Sequence, residues 1–223
     1  MGIAVLICLT SILSAGSWVF IVWKDIKECE SGNRVKEALQ KNKKETIFLL
    51  IATALMIALS VELNLIYKTN TLVANIELIS LLSLLMTAAV TDYKSHIIPN
   101  KIIIVGLALR VVFAIIELIT LKKLYFSILK ADGIALAIVV VLLLLGVFIV
   151  KNGIAMGDIK LMAVMAVFQG FTGFMSSLFC SLLITFIVGI VLLITKKKKR
   201  KDAIAFAPAL FVGTLISVAL TGM

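Results

Sequence analysis

The chain has 223 residues, 62% of them hydrophobic, and its mean hydropathy is +1.18. A soluble domain carries roughly 45–50% apolar residues, so this composition excludes an ordinary soluble protein and predicts a membrane protein. The net charge of +10 would suit a nucleic-acid-binding protein, but the basic residues lie in short segments between apolar runs. There they are typical of topology signals and of anchors for anionic lipid, so we expect lipid contacts and no nucleic acid partner.

The apolar runs predict an all-α fold, a polytopic transmembrane helical bundle of about eight helices. One run, 161–195, has 35 residues without a charge. A crossing needs about 20 apolar residues, so this run is expected to hold two crossings divided at Gly170 and Gly173. Residues 1–223 are expected to form a single transmembrane domain with a short cytoplasmic loop at 24–46. The predicted helices are 2–23, 47–67, 72–91, 102–121, 133–150, 155–171, 174–195 and 203–221.

The distribution of Lys and Arg predicts how the bundle is oriented. With the N-terminus outside, 17 of the 22 basic residues fall in segments predicted to be cytoplasmic, and 4 fall in segments predicted to be outside. This asymmetry is expected of a multi-pass protein of the inner membrane. No basic residues precede the first apolar run, so we expect an anchor helix rather than a cleaved signal. The predicted cytoplasmic segments are 24–46, 92–101, 151–160 and 196–201.

Two aspartates emerge from this topology as the candidate site. Two predicted crossings separate Asp92 from Asp158, so both are expected at the cytoplasmic face. Pro99 disfavours a helical residue before it, so the chain must turn after Asp92. Asn100 is then placed to cap the next helix. Gly157 has no side chain, so another backbone or a substrate can approach Asp158 closely.

Two carboxylates held together can hydrolyse a peptide bond. Like charges a few Å apart resist ionising together, so such a pair shares one proton. The ionised member draws a proton from water, and the protonated member polarises the scissile carbonyl. Spacing alone does not pair the two aspartates. Each one by itself is explained as an interfacial charge beside a lysine, Lys94 for Asp92 and Lys160 for Asp158.

Four further charged residues lie inside predicted helices. A charge at the bilayer centre costs about 2.5–3.5 kcal/mol on insertion scales, so each is a candidate for function. Arg110 and Glu117 are seven residues apart on one helix face, which favours an internal ion pair. Glu77, near the outer end of the third helix, is expected to reach water. The buried charges, Glu62, Arg110 and Glu117, also motivate an alternative function, an ion-coupled transporter.

The two aspartate segments resemble the signatures of the type IV prepilin leader peptidases. Segment 92–100 reads Asp-Tyr-Lys-Ser-His-Ile-Ile-Pro-Asn, similar to a signature with Asp, a basic residue two places on, and then Ile-Pro-Asn. Segment 157–163 reads Gly-Asp-Ile-Lys-Leu-Met-Ala, similar to GxGD followed by x-K-L-x-A. Segment 206–210, Phe-Ala-Pro-Ala-Leu, resembles the family's proline-containing C-terminal motif. The resemblance covers about 75–220.

This resemblance implies a membrane aspartic endopeptidase in which Asp92 and Asp158 are catalytic. Family members remove the short basic leader from prepilins or pseudopilins at the cytoplasmic face, so such a protein is the implied partner. No cofactor or metal is expected, because the three cysteines form no CxxC pair and there is one histidine. The residues expected to bind substrate or to shape the site are Lys94, Pro99, Asn100, Gly157, Lys160 and Pro208.

Two departures from the family pattern bear on this interpretation. Ala155 stands where the family has the first glycine of GxGD. A second alternative, a non-catalytic scaffold with a peptidase-like fold, draws its support from this alanine. Long-form members also carry a cysteine-rich cytoplasmic region and methylate the new N-terminus, whereas 24–46 holds only Cys29. The resemblance therefore implies a peptidase without methyltransferase activity.

Overall fold

The computed structural model describes residues 2–28, 43–67, 70–121, 133, 137, 139–141, 155–195 and 205–222. The described part of the chain forms helices joined by short turns, which confirms the predicted fold class. Residues 133, 137 and 139–141 are helical, and most of the predicted helix 133–150 lies outside the described residues. Six helices have described bounds: α1 Gly2–Glu28, α2 Lys43–Leu65, α3 Leu72–Ser95, α4 Asn100–Leu121, α5 Met156–Ile194 and α6 Ala207–Thr221.

The described helices form a bundle around α3. Five of them, α1 to α5, are long and apolar enough to cross a membrane, while α6 is apolar but has 15 residues. In α3 78% of the membrane-length window is buried inside the protein, against 11–33% in the other four. The central position of α3 matters for the site because its last turn carries Asp92. The chain is therefore a multi-pass membrane protein, and the best buried of these five helices holds one of the two candidate aspartates.

Polar residues extend several helices beyond their predicted ends. Residues 24–28 continue α1 and residues 43–46 begin α2, so the predicted loop 24–46 is helical at both edges. The apolar pattern marks where a helix is in the membrane, whereas charged residues in water continue the same backbone hydrogen bonding. α3 likewise runs to Ser95 rather than to residue 91. α6 begins at Ala207, later than the predicted residue 203.

The long uncharged run is interrupted at Gly170, one of the two glycines predicted to divide it, whereas residues 171–173, predicted to hold the turn, are helical. α5 has 39 residues, which would make a straight helix of about 58 Å, far longer than a hydrocarbon core of about 30 Å. Gly170 has φ 64° and ψ −174°, a conformation open almost exclusively to glycine. Gly173 stays helical and buried. We call residues 156–169 α5a and residues 171–194 α5b.

Contacts with α6 show that α5 is not straight. A Cβ atom on Gly213 would lie 2.6 Å from Ser181 Cα, so α5b and α6 touch at these two residues. Gly213 is six residues, or about 9 Å, beyond the start of α6. In a straight α5, Ser181 would lie about 34 Å beyond Asp158. Since Asp158 and the start of α6 are at the same end of the bundle, the chain must bend sharply at Gly170.

An ionic network crosses the bundle away from that end. Arg110 Nη1 lies 3.0 Å from Glu117 Oε2, which confirms the predicted pair. The same nitrogen lies 3.2 Å from Glu77 Oε1. Glu77 is only 5% exposed, so the prediction that it reaches water is wrong. The sequence places Glu77 near a helix end, but the packing of α3 against α4 turns its carboxylate toward a cation.

Candidate active site

Asp92 lies in the last turn of α3 and is buried, with 6% exposure. The helix ends because His96 adopts a left-handed conformation, φ 49° and ψ 30°, and its N–H donates to the backbone oxygen of Asp92 at 2.8 Å. This αL cap is a common way to end a helix. Pro99 then prevents the turn from continuing as helix. The carboxylate therefore stands where α3 stops and the chain bends toward α4.

Asp158 lies in the first turn of α5a, as the sequence predicts. Its N–H donates to the carbonyl of Ala155 at 3.0 Å. Ala155 is the N-cap residue and has φ −70° and ψ 142°, an extended conformation that any L-residue adopts. An alanine is therefore accommodated without backbone strain where the family signature has a glycine. The helix N-terminus favours a negative charge at Asp158.

The two signature segments pack directly against each other. Ile98 of the first segment is 7% exposed, and a Cβ atom on Gly157 would lie 3.2 Å from its Cβ. The glycine thus lets the start of α5a approach the bend after α3. Lys160 Nζ donates to Asn100 Oδ1 at 3.2 Å. Asn100, expected to be a cap, is the first residue of α4, and its side chain links α4 to α5a.

Asp92 and Asp158 line one cavity of about 410 Å³, and their carboxylates are close enough to interact electrostatically. Ligand pockets typically measure about 300–1,000 Å³, so this one has room for water and a short stretch of peptide. The rest of the lining comes from the two signature segments and from Ala155 and Met156, which directly precede the second one. The structure therefore brings together the two residues that the sequence alone could only place on one face.

Most of the other predicted site residues line the same cavity, while two do not. The cavity is lined by Pro99, Asn100, Gly157 and Lys160 as well as by the two aspartates. Lys94 is half-buried in the last turn of α3, outside this lining. Pro208 also lies outside the lining, in the first turn of α6.

Sequence reasoning missed the contribution of Ala207. Its backbone N–H donates to Asp92 Oδ2 at 3.0 Å in a buried contact. Ala207 is the first residue of α6 and is fully buried, so the positive end of that helix lies against the carboxylate. Pro208 follows it in the first turn, where the missing N–H is one that the helix would leave unbonded. A backbone donor has no sequence signature, and the proline-containing motif at 206–210 is the one signal at this place.

The arrangement is suited to acid–base chemistry on a water molecule. Each carboxylate lies at the N-terminus of a helix, Asp158 at that of α5a and Asp92 at that of α6. Both line the same cavity. A pair of neighbouring carboxylates that shares a proton can take a proton from water and give one to a carbonyl oxygen.

Comparison with known proteins settles the family. The model of the type IV leader peptidase family matches residues 79–194, more than half of the chain, and this range includes both aspartates. The chain belongs to the type IV leader peptidase family. Residues 206–210, with the proline-containing motif, lie beyond the range that the family model matches.

One curated relative of this leader peptidase family member is the prepilin leader peptidase/N-methyltransferase of Bacillus subtilis (strain 168). The two chains are 30% identical over 136 residues, which is 61% of this chain and 52% of the relative. The match thus spans about half the length of that relative. No solved structure matches the chain.

Proposed function

We propose that this protein is a membrane aspartic endopeptidase that removes the short basic leader from type IV prepilins or pseudopilins. One observation carries the proposal: Asp92 and Asp158, one from each signature segment, line the same cavity. Membership in the leader peptidase family supports the peptidase activity. The name of the Bacillus subtilis relative supports a prepilin as the substrate class.

The proposed reaction is hydrolysis by one water molecule held between the two carboxylates. The ionised member takes a proton from the water, and the resulting hydroxide adds to the scissile carbonyl carbon. The protonated member gives its proton to the carbonyl oxygen. When the tetrahedral intermediate collapses, the C–N bond breaks and the leaving amine takes a proton from the carboxyl that accepted it, while one hydroxyl of the intermediate returns its proton to the other carboxylate. The products are a free leader carboxylate and the new N-terminus of the mature protein.

Three contacts support the alignment that this reaction needs. The N–H of Ala207 fixes Asp92 Oδ2 from the side of α6. The contact of Gly157 with Ile98 sets the distance between the two signature segments, and the Lys160–Asn100 hydrogen bond links α5a to α4. Catalytic groups must be held within about 0.5 Å of productive geometry. We assign Lys160 and Asn100 to positioning the site rather than to the chemistry.

We further propose that the site faces the cytoplasm from the inner membrane. The sequence supports this orientation, because most of the basic residues fall in the segments on the same side as the two aspartates. A prepilin whose apolar helix lies in the bilayer would present its basic leader on that side. The run of basic residues at 196–201 is assigned to topology, because the leader is itself basic.

We propose that the chain has no methyltransferase activity. The support is its short polar segment 24–46, which contains a single cysteine, Cys29. The relative's name includes both activities, and the match covers 52% of its length. The peptidase signatures are both contained in the part of this chain that the family model matches.

The structure does not favour either alternative function, the ion-coupled transporter or the non-catalytic scaffold. The transporter rests on Glu62, Arg110 and Glu117, but Arg110 and Glu117 pair with each other, and Arg110 also pairs with Glu77, so these two charges are compensated locally. A non-catalytic scaffold was suggested by Ala155, which has an ordinary extended backbone at the start of α5a. Neither observation favours a function other than the peptidase.

The proposal is tested with purified protein in liposomes, produced in a host that lacks its own prepilin peptidase. A prepilin is added through co-reconstitution, and mass spectrometry maps the products. We expect a single cut that releases the basic leader and, with S-adenosylmethionine present, no methyl group on the new N-terminus. A mature pilin without leader is the control substrate and should stay intact. An uncleaved prepilin would contradict the peptidase proposal, and a methylated product would contradict the assignment of a single activity.

A further inference from the structure

We propose that Arg110 is a positioning residue for the site, because it ties the helix that carries Asp92 to the helix that carries Asp158. Arg110 lies on α4, which packs against both of these helices, and its side chain is 12% exposed. Its contacts lie well away from the cavity: about 22 Å before Asp92 along α3 and about 14 Å beyond Asp158 along α5a. The effect that we expect on activity rests on the proposed function, whereas the effect that we expect on the structure does not.

The guanidinium group of Arg110 reaches both aspartate-bearing helices at once. Its Nη1 lies 3.2 Å from Glu77 Oε1 on α3. Its Nε donates to the backbone oxygen of Val167 on α5a at 2.9 Å. The third contact, from Nη1 to Glu117 Oε2 at 3.0 Å, stays within α4. Of these contacts, those to Glu77 and Val167 join different helices, and the one to Glu117 does not.

The break at Gly170 explains why Val167 needs such a partner. α5a ends there, so Val167 carries one of the last four carbonyls of a helix, and these have no partner within the helix. A cation at a helix C-terminus is favourable both as a hydrogen-bond donor and toward the helix dipole. Arg110 supplies this cap from α4. The backbone turn at Gly170 ends α5a, and Arg110 then holds that end in place through Val167.

Fixing that end fixes the aspartate at the other end. α5a is a short helix, with Asp158 in its first turn and Val167 in its last. The apolar face of α5a is packed in the core, where Leu161, Met165 and Phe168 are buried, and Arg110 adds a directional polar contact at the end of the helix that resists a pivot of its carboxylate relative to Asp92. A displacement of about 1 Å can lower a rate about 100-fold. Arginine suits this role because its planar fork holds several acceptors in fixed directions, which a lysine ammonium does not.

A simpler explanation is that the two glutamates only neutralise a buried arginine. That explanation treats Glu77 and Glu117 alike, since both carboxylates face the same nitrogen of Arg110. The positioning role separates them, because only Glu77 lies on another helix. Glu77→Leu and Glu117→Leu are therefore a matched pair that removes equal charge next to the same guanidinium.

The first measurement is a distance between spin labels at positions 93 and 156. Tyr93 and Met156 are 68% and 65% exposed and lie beside the two aspartates on α3 and α5a. Each is replaced by cysteine in a background without the three native cysteines. We expect pulsed electron paramagnetic resonance to show a broadened distance distribution for Glu77→Leu and for Arg110→Lys. The distribution for Glu117→Leu should have the same width as without the substitution.

The second measurement is the kinetics of prepilin cleavage by the unlabelled variants. We expect Glu77→Leu to lower kcat at least about 10-fold with KM nearly unchanged, because the carboxylates are misaligned while substrate binding is intact. Glu117→Leu should keep kcat near that of the wild type. This split distinguishes misalignment from a general loss of folded protein, which would lower the active fraction in both variants.

Equal distance distributions for the two glutamate variants, whether both broadened or both unchanged, would overturn the positioning role. If Glu77→Leu does not accumulate in the membrane, Arg110→Lys decides, since it keeps the charge but loses the Nε donor to Val167. A wild-type distance width in Arg110→Lys would then overturn it. The label distances do not depend on peptidase activity, so a failure of the proposed function leaves this inference separately testable.

Discussion

The backbone N–H of Ala207 donates a 3.0 Å hydrogen bond to Asp92 Oδ2, across 115 positions of sequence. The last described helix therefore completes a site whose two carboxylates come from α3 and α5a. Because α6 points its N-terminus at the carboxylate, Asp92 gains both a donor and the favourable end of a helix dipole. Anything that displaces α6 is expected to disturb Asp92 before it disturbs the rest of the bundle.

The close packing of α6 against α5b gives the first prediction. A Cβ atom on Gly213 would lie 2.5 Å from Ser181 N, so Gly213→Val must push α6 away from α5b. We expect cleavage of a prepilin to fall at least about 10-fold, since a small shift of Ala207 removes the donor to Asp92. The measurement is the initial rate in liposomes. Gly16→Val is the control, because a Cβ atom at Gly16 meets nothing within 4 Å. Equal rates for the two variants would show that cleavage does not depend on the close packing of α6 against α5b.

The contact between the signature segments gives the second prediction. Gly157→Leu places a branched side chain where even a Cβ atom lies 3.2 Å from Ile98 Cβ. The two segments must separate, so we expect a large loss of kcat with the protein still inserted and folded. The matched control is Gly16→Leu, which adds the same side chain in open space. A Gly157→Leu variant with wild-type kcat would show that the two segments do not need this approach.

The turn at Gly170 gives the third prediction. An alanine there must adopt φ 64° and ψ −174°, which is strained by about 1–3 kcal/mol for a residue with a Cβ. We expect Gly170→Ala to lower the free energy of unfolding by that amount, measured by titration with a denaturing detergent. Gly16→Ala, within helix α1, should leave it unchanged or raise it by up to about 1 kcal/mol. An unchanged stability in Gly170→Ala would contradict the positive φ at this residue.

Several features of the fold could be predicted from the sequence because they depend on local pattern. Apolar runs of membrane length predict crossings, and the parity of crossings between Asp92 and Asp158 predicts that both lie at one end. The spacing of Arg110 and Glu117 on one helix predicts their ion pair, which the structure confirms. The uncharged run of 161–195 is too long for one crossing, and Gly170 marks where its helix is interrupted.

Other features could not be predicted, because they depend on how helices are packed against one another. The burial of Glu77 depends on the rotation of α3 relative to α4, which hydropathy does not report. The bond from Ala207 uses a backbone N–H that every residue except proline possesses. The close approach of Gly213 to Ser181 is likewise a property of a helix pair. Such contacts need the tertiary structure.

The central claim is that Asp92 and Asp158 together activate water. The most direct measurement is the initial rate of prepilin cleavage in liposomes by Asp92→Asn and Asp158→Asn, with Glu62→Gln as a control for loss of a carboxylate outside the cavity. We expect each asparagine variant to lose at least about 100-fold in rate, the double variant to be no worse than either single one, and Glu62→Gln to match the wild type. A rate near that of the wild type in either single variant would contradict the account.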